Sequence, residues 1–306
     1  MEKKFLIGID LGGTNLKIAL FTQKYKIIDK ETLSTRRFVS KQRLIEAIIG
    51  SIRGILKKNK LHKQSVAGIG LGLPGPIDVK KGVVHFFPNI PGFTDVPLKA
   101  ILQRRLQLPV FLDNDANLMC LAEYRKGAAA GARNAVCITL GTGVGGGIII
   151  EGRLYRGSSF AAGEIGHVPL NETGWKCNCS GVACLETYIG NNRILKDAQK
   201  IFKRNICLED LSRLANKGDT KAKHIWVKVG ERLGIVLAGV VNVLNPDCVV
   251  IGGGIANAGK VLFDTVRRTV KKRAMSVQSK RVQIVKTRLG NNAGLIGAAL
   301  LVNKLG

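Results

Sequence analysis

Two stretches of this chain follow the same order: an apolar strand, a glycine turn, a second strand. Phe5 to Asp10 is a short β-rich run, Gly12-Gly13 marks a turn, and Leu16 to Thr22 reads as the next strand, with a third around Lys26 to Leu33. Ala135 to Leu140, the turn from Gly141 to Gly147 and a strand from Gly147 to Glu151 repeat that opening. An offset of roughly 130 residues excludes a solenoid, whose units run about 20–50 residues, and points to internal duplication into two similar domains. A length of 306 residues accommodates two domains.

Between the two openings, Leu44, Ile45, Ile48, Ile49, Ile52, Ile55 and Leu56 have helical spacing and would feed a strand at Val66 to Gly70. After a loop from Gly72 to Pro97 come a helix at Leu98 to Leu106, a strand at Val110 to Leu112 and a helix from Ala116 to Arg125. The first half therefore reads βββαβαβα. Later, an apolar helix around Arg232 to Leu244 carries Gly234 and Gly239, which would permit close packing, and Asn245 to Gly254 reads as a buried strand entering a glycine turn. The division expected is 1–128, joined by a C-terminal helix at 293–306, and 129–292.

Lys and Arg number 48 against 21 Asp and Glu, a net charge of +27. Such a field steers phosphorylated ligands and holds polyanions loosely. The bases are scattered and no aromatic–basic interleaving of the RNA-binding type occurs, so no specific nucleic-acid partner is expected. Asp10 interrupts the first apolar run before a signal-peptide core could form. The uncharged stretch Gly234 to Leu244 is well short of the roughly 20 residues of a membrane span. Seven cysteines, an odd count, do not resemble a secreted disulfide framework. A cytoplasmic protein without a membrane segment is expected.

Four glycine-rich turns follow strands: at Gly12-Gly13, Gly70 to Gly75, Gly141 to Gly143 and Gly252 to Gly254. Backbone N–H groups in such turns can line a nest for phosphate oxygens. Those starting at Gly70 and Gly141 fit G-x-G-x-x-G literally, but that fingerprint needs a helix after the turn, and here a strand or prolines follow. Gly254 to Lys260 has Walker A spacing, with Val261 where a hydroxyl must reach magnesium. A dinucleotide-binding or P-loop reading is therefore set aside. Asp10 ends an apolar strand, where a lone carboxylate is costly to desolvate, so a cation is expected nearby.

His167, Cys177, Cys179 and Cys184 supply one nitrogen and three sulfurs, enough for a closed tetrahedral zinc site. Asp115 lies between a strand and a helix, where a ligand at the mouth of a sheet would meet it. It is a candidate general base, a carboxylate placed to take the proton leaving a bound nucleophile. Asn114 or Asp115 could equally cap the following helix, and both roles can coexist. Asp113, two residues back, could raise the pKa of that base as a like charge.

The chain resembles the ROK family of sugar kinases and repressors. The resemblance rests on Ile9-Asp10-Leu11-Gly12-Gly13-Thr14-Asn15, Gly72-Leu73-Pro74-Gly75-Pro76, Asn114-Asp115-Ala116-Asn117, Leu140 to Gly146, Ala162-Gly163-Glu164-Ile165-Gly166-His167 and Leu289 to Ala299, in family order across nearly the whole chain. It implies an α/β, two-domain actin-like ATPase (ribonuclease H-like) fold, each domain a mixed sheet with flanking helices. It also implies ATP-dependent phosphorylation of a hexose at the 6-hydroxyl, glucose first. N-acetylhexosamine or fructose kinase, polyphosphate-dependent glucokinase and a non-catalytic sugar-sensing regulator are the alternatives. Family repressors carry an N-terminal helix-turn-helix, and a first phosphate motif starting at Ile9 is read as leaving no room for one.

By the same resemblance, Asn114, Asp115, Glu164, His167 and Glu186 would bind the sugar hydroxyls, with Asn89 from Pro88-Asn89-Ile90-Pro91-Gly92 beside them. Glu164 could otherwise be an ordinary surface carboxylate and Glu186 a helix N-terminal charge. Asp10 would organise Mg2+, while Gly12, Gly13, Thr14, Lys17, Gly141, Thr142 and Gly143 would cradle the ATP phosphates and Gly253 and Gly254 approach the adenosine. The family's zinc motif follows its Glu-x-Gly-His with Cys-x-Cys-Gly-x-x-Gly-Cys; this chain has Ser180 and Ala183 at the glycine positions. A homodimer or homotetramer is expected because relatives form them.

Overall fold

A computed structural model describes residues 4–87 and 90–303. In chain order the strands are β1 (Phe5–Leu11), β2 (Asn15–Thr22), β3 (Ile27–Ser34), β4 (Val66–Leu73), β5 (Ile77–Asp78), β6 (Val83–Phe86), β7 (Thr94–Val96), β8 (Val110–Asn114), β9 (Ala135–Leu140), β10 (Val144–Ile150), β11 (Arg153–Tyr155), β12 (Cys248–Gly252) and β13 (Gln283–Lys286). The helices are α1 (Lys41–Lys58), α2 (Leu98–Leu106), α3 (Asp115–Lys126), α4 (Leu185–Ile189), α5 (Asn191–Phe202), α6 (Leu208–Asn216), α7 (Thr220–Leu244), α8 (Lys260–Arg273), α9 (Ser276–Arg281) and α10 (Ala293–Val302).

The chain divides into two compact units. Unit 1 takes the residues through Ala122, Arg153–Ala162 and those from Asn291 onward; unit 2 takes Glu123–Gly152 and Gly163–Gly290. The sheet of unit 1 has the order β3-β2-β1-β4-β8, with β1, β2 and β3 antiparallel and β4 and β8 parallel to β1. Alternation along β1 sends Ile7, Ile9 and Leu11 into the core shared with α1, while Leu6 joins Phe21, Leu295 and Ala299 on the opposite face. Helix α1 begins at Ser40, whose Oγ accepts the Arg43 N–H at 3.3 Å. It buries the seven apolar residues of its stripe.

Helix α10 lies directly on β1 and β4. This needs Gly70, where a Cβ would stand 1.7 Å from the Ala298 carbonyl oxygen. Between β4 and α2 the expected loop contains a small antiparallel sheet, β5-β6-β7, and β4 itself runs on through Leu73. Those strands have only two to four residues, too few for an alternating pattern to show.

In unit 2, strands run β10-β9-β12-β13, again a hairpin joined to parallel strands, matching β2-β1-β4-β8 of unit 1. The duplicated opening of the sequence thus builds the same sheet connectivity twice. Val136, Ile138, Leu140, Val249 and Ile251 face a core filled from α7 and α8 by Trp226, Leu233, Leu237, Leu262 and Val266. Gly234 of α7 sits against Thr269 of α8, whereas Gly239 has open space around its Cα. Helix α7 has 25 residues, but no described helix is long and apolar enough to cross a membrane.

Candidate active site and metal centre

In each unit taken by itself, several candidate residues lie at the C-terminal ends of parallel strands, where open α/β sheets bind ligands. In unit 1 the register aligns Asp10 of β1 with Gly72 of β4, and Gly72 with Asp113 of β8. Asp10 also lies opposite Lys17 of β2, and the Lys17 ammonium reaches its Oδ2 at 3.1 Å. The cation expected beside Asp10 is therefore a side chain of the same hairpin. Lys17 also donates to the Asn291 carbonyl oxygen at 3.3 Å. The Gly12 N–H and Asn15 carbonyl close the turn at 2.8 Å, leaving Gly13, Thr14 and Asn15 exposed at its tip.

Asn114 is the last residue of β8 and Asp115 the first of α3. The Asn114 Oδ1 accepts the N–H groups of Ala116 at 2.9 Å and Asn117 at 3.3 Å, so Asn114 does cap the helix. Asp115 accepts the Ala116 N–H at 2.8 Å through one carboxylate oxygen, Oδ1. Asp113 is buried, at 1% exposure, and takes Arg156 Nη2 and Nε at 2.8 Å each, the Asn114 N–H at 2.8 Å and Asn117 Nδ2 at 3.0 Å. Arg156 belongs to the 153–162 segment of unit 1. It gives Asp113 a counter-ion, so Asp113 is not the lone like charge anticipated beside Asp115. Arg156 carried no signal in the sequence, because its partner lies 43 residues away. Asn89 lies outside the described residues.

In unit 2 the turn Gly141-Thr142-Gly143 joins β9 to β10, closed by the Gly141 N–H on the Gly143 carbonyl at 2.9 Å. Glu186 of α4 accepts the Val144 N–H at 2.8 Å, tying the carboxylate to this turn. Glu164 lies near both Glu186 and His167, its Oε2 3.8 Å from the His167 Nε2. Partial burial pushes the Glu164 carboxyl above its ordinary value, Glu186 adding to the rise and His167 opposing it. Glu164, His167 and Glu186 are thus brought together within one unit.

The other ring nitrogen of His167, Nδ1, lies 3.6 Å from Cys177 Sγ, and Cys179 Sγ lies 3.6 Å from Cys184 Sγ. All four ligand atoms fall within 4.8 Å of one another. A tetrahedral zinc with ordinary bond lengths separates two sulfurs by about 3.8 Å and a nitrogen from a sulfur by about 3.6 Å, so the donor set fits that ion. Burial and the two neighbouring sulfurs push the Cys184 thiol up to about 12, so it stays protonated until a cation displaces the proton, and zinc binding here would release protons as the sulfurs become thiolates. An ion on Nδ1 would leave Nε2–H directed at Glu164.

Gly253 follows β12 with φ of 84°, and a Cβ there would lie 2.1 Å from the Leu140 carbonyl oxygen. Gly254 borders a cavity of about 510 Å3 that Ser212, Arg213, Asn216 and Lys217 from the α6 region also line. These α6 residues formed no motif in the sequence.

Two α/β units that repeat a hairpin and parallel strands, with glycine turns at the strand ends, define the actin-like ATPase fold. The ROK family model matches residues 6–305, and the chain belongs to that family. It is 34% identical over 319 residues to a glucokinase of Halalkalibacterium halodurans, covering 99% of this chain and 96% of that protein. It is similar to the crystal structure of a ROK glucokinase from Streptomyces griseus in complex with glucose and AMPPNP, with a TM-score of 0.85 and 29% identity over 98% of this chain and 99% of that one. It is also 29% identical over 310 residues to a xylose repressor of Caldicellulosiruptor bescii, covering 97% of this chain and 77% of that protein.

Proposed function

We propose that the chain transfers the γ-phosphoryl group of ATP to the 6-hydroxyl of a hexose, with glucose as the preferred acceptor. Asp115 takes the proton as the sugar oxygen forms its bond to phosphorus, and the bond from phosphorus to the bridging oxygen of ADP breaks. The observation that carries this reading is Asp115 at the junction of β8 and α3, beside the helix cap Asn114 and the Arg156-neutralised Asp113, in a chain 34% identical to a glucokinase. Asn114, Glu164, His167 and Glu186 would read the sugar hydroxyls, and Asn89 is assigned there by family pattern alone.

The Gly12 and Gly141 turns would hold the donor phosphates through backbone N–H groups, with Lys17 adding charge, and Gly253 and Gly254 would border the adenosine. Asp10 offers the carboxylate for a magnesium-bound phosphate, and magnesium supplies neutralisation of charge on the transferring group. Zinc on His167, Cys177, Cys179 and Cys184 would fix the orientation of the His167 ring and brace its loop.

Asp115→Asn should lower kcat for glucose phosphorylation by about 100-fold or more while leaving the KM for glucose and ATP within a few-fold, as loss of a general base does. A variant equal to the unchanged chain in a coupled ADP-release assay would remove Asp115 from the mechanism. The same assay with N-acetylglucosamine, N-acetylmannosamine, fructose and polyphosphate tests the acceptor and donor. The repressor relative supports one other reading, a sugar-binding regulator: glucose binding without turnover by any donor would establish it.

A further inference from the structure

Helices α5 and α7 of unit 2 border a cavity of about 240 Å3 that shares no lining residue with the one at Gly254. His224, Lys228 and Arg232 recur every fourth residue along α7, which places them on one stripe of that helix. From α5, Arg193 and Lys200 meet them, and Asp197 is the one acidic residue in the lining. The pocket is therefore apolar where Ile194 and Ile225 form its wall and strongly basic elsewhere.

The two guanidinium groups are held in place. Arg193 pairs with Asp197 at 3.0 and 3.1 Å and stacks on Trp175, 3.7 Å from the ring centroid. Arg232 donates to the Tyr188 carbonyl at 3.1 Å and lies 5.3 Å from the Tyr188 ring. Asp197 neutralises one charge. Among the described residues, Lys200, Lys228 and Arg232 form no ion pair with a carboxylate. Burial lowers the Arg232 pKa, with Arg193 adding to the fall and Asp197, Tyr188 and Glu231 opposing it. A bound anion would oppose that fall further.

The basic surface continues past this cavity. An adjoining cavity of about 410 Å3 shares Arg193 and Lys200 and adds Lys196 and Lys203, with no acidic residue in its lining. From position 193 to 203 a helical rise of about 1.5 Å per residue carries the basic track roughly 15 Å. A single carboxylate or one phosphate would meet only part of such a track. Guanidinium forks suit the paired oxygens of phosphoryl groups, and lysines add point charges along the rim.

We propose that the α5–α7 cavity and its extension bind a ligand with several linked phosphoryl groups, an inorganic condensed phosphate or a nucleoside polyphosphate. The site is independent of the kinase reading, since none of its residues serves the sugar or donor positions proposed above.

Isothermal titration of the whole chain with orthophosphate, tripolyphosphate and magnesium-free ADP tests it, at about 0.15 M ionic strength, where diffuse attraction is screened beyond roughly 8 Å. Tripolyphosphate should bind more tightly than orthophosphate. The exposed pair Lys200→Ala with Lys228→Ala should weaken tripolyphosphate by about fivefold or more, while Lys271→Ala with Lys272→Ala, which removes the same charge from α8, should not. A smaller loss in the first pair, or an equal loss in the α8 pair, would overturn the site and assign the binding to the general field. ADP weakened by the first pair identifies a nucleotide as occupant; loss confined to tripolyphosphate identifies the inorganic chain.

Discussion

Ser180 and Ala183 have φ of 71° and 57°, the left-handed region in which a Cβ is crowded. Both stand where the family motif has glycine, so the cysteine-bearing loop keeps its turn and bears the strain. The two positions should respond differently to glycine. Ser180 is exposed, so Ser180→Gly should relieve the strain and stabilise by about 1 kcal/mol. Ala183 is fully buried, and Ala183→Gly should gain about as much as the lost methyl burial costs, for no net change. Thermal unfolding of the two variants, with a rise of about 2 °C for the first alone, checks this. Arg156 acts at the same scale. Removing it leaves a buried Asp113 without its counter-ion, so Arg156→Met should destabilise by about 3 kcal/mol, measured by urea unfolding. It should also depress kcat, because Asp113 holds Asn114 and Asn117 around Asp115. The carboxylates and cysteines were readable one by one from their motifs. The Arg156 partnership was not, since a long-range ion pair leaves no periodic trace.

Elements declare themselves in sequence when they are long and one-sided. Helix α1 buries every residue of its expected stripe, and β1 and β9 extend as their alternation and apolar content indicate. The sheet β5-β6-β7 went unseen because its strands are shorter than a pattern, and Gly147 proved to lie within β10, which begins at Val144. The C-terminal end of α1 shows how separate elements are joined by charge: Asp29 of β3 accepts from Lys58 Nζ and Asn59 Nδ2, both at 2.9 Å. These bonds, Lys58 first, hold the Asp29 carboxyl below its ordinary value. A depressed folded pKa contributes stability above the unfolded value and loses it as pH falls through the folded one. Asp29→Asn should therefore lower stability at neutral pH by under about 1 kcal/mol, because the Lys58 ammonium that leads the effect is exposed and screened by solvent. The difference should shrink as pH falls below the unfolded aspartate value near 4 and vanish once the lower-titrating folded carboxyl is protonated as well. Parallel urea titrations across that range would reveal a constant difference if the pair contributes nothing.

At the scale of the whole molecule, the duplication was open to reading because each half starts with the same strand, glycine turn and strand. That Arg153–Ala162 belongs to unit 1 was hidden, since chain order carries no mark of which unit a short segment joins. The charge was plain from composition, and its consequence is energetic. With 48 basic and 21 acidic side chains, pairing every acid would still leave 27 positive charges unmatched. Like charges crowded on a folded surface repel more than on an expanded chain, so the native state is destabilised relative to the unfolded one. Screening acts on this repulsion directly: the Debye length falls from about 30 Å at 0.01 M to about 8 Å at 0.15 M salt. Ion pairs such as Arg105–Glu46 and Lys260–Asp264 are exposed and lose little, being weak to begin with. The net effect of added salt should thus be stabilising, the reverse of what a chain held by surface ion pairs would show. Raising sodium chloride from about 0.01 to 0.15 M should lift Tm by several degrees, with most of the rise below about 0.1 M, where the screening length changes fastest. A Tm that stays level or falls over that interval would mean the excess charge is already neutralised by local pairing, and would leave the solvated basic surface without an energetic cost.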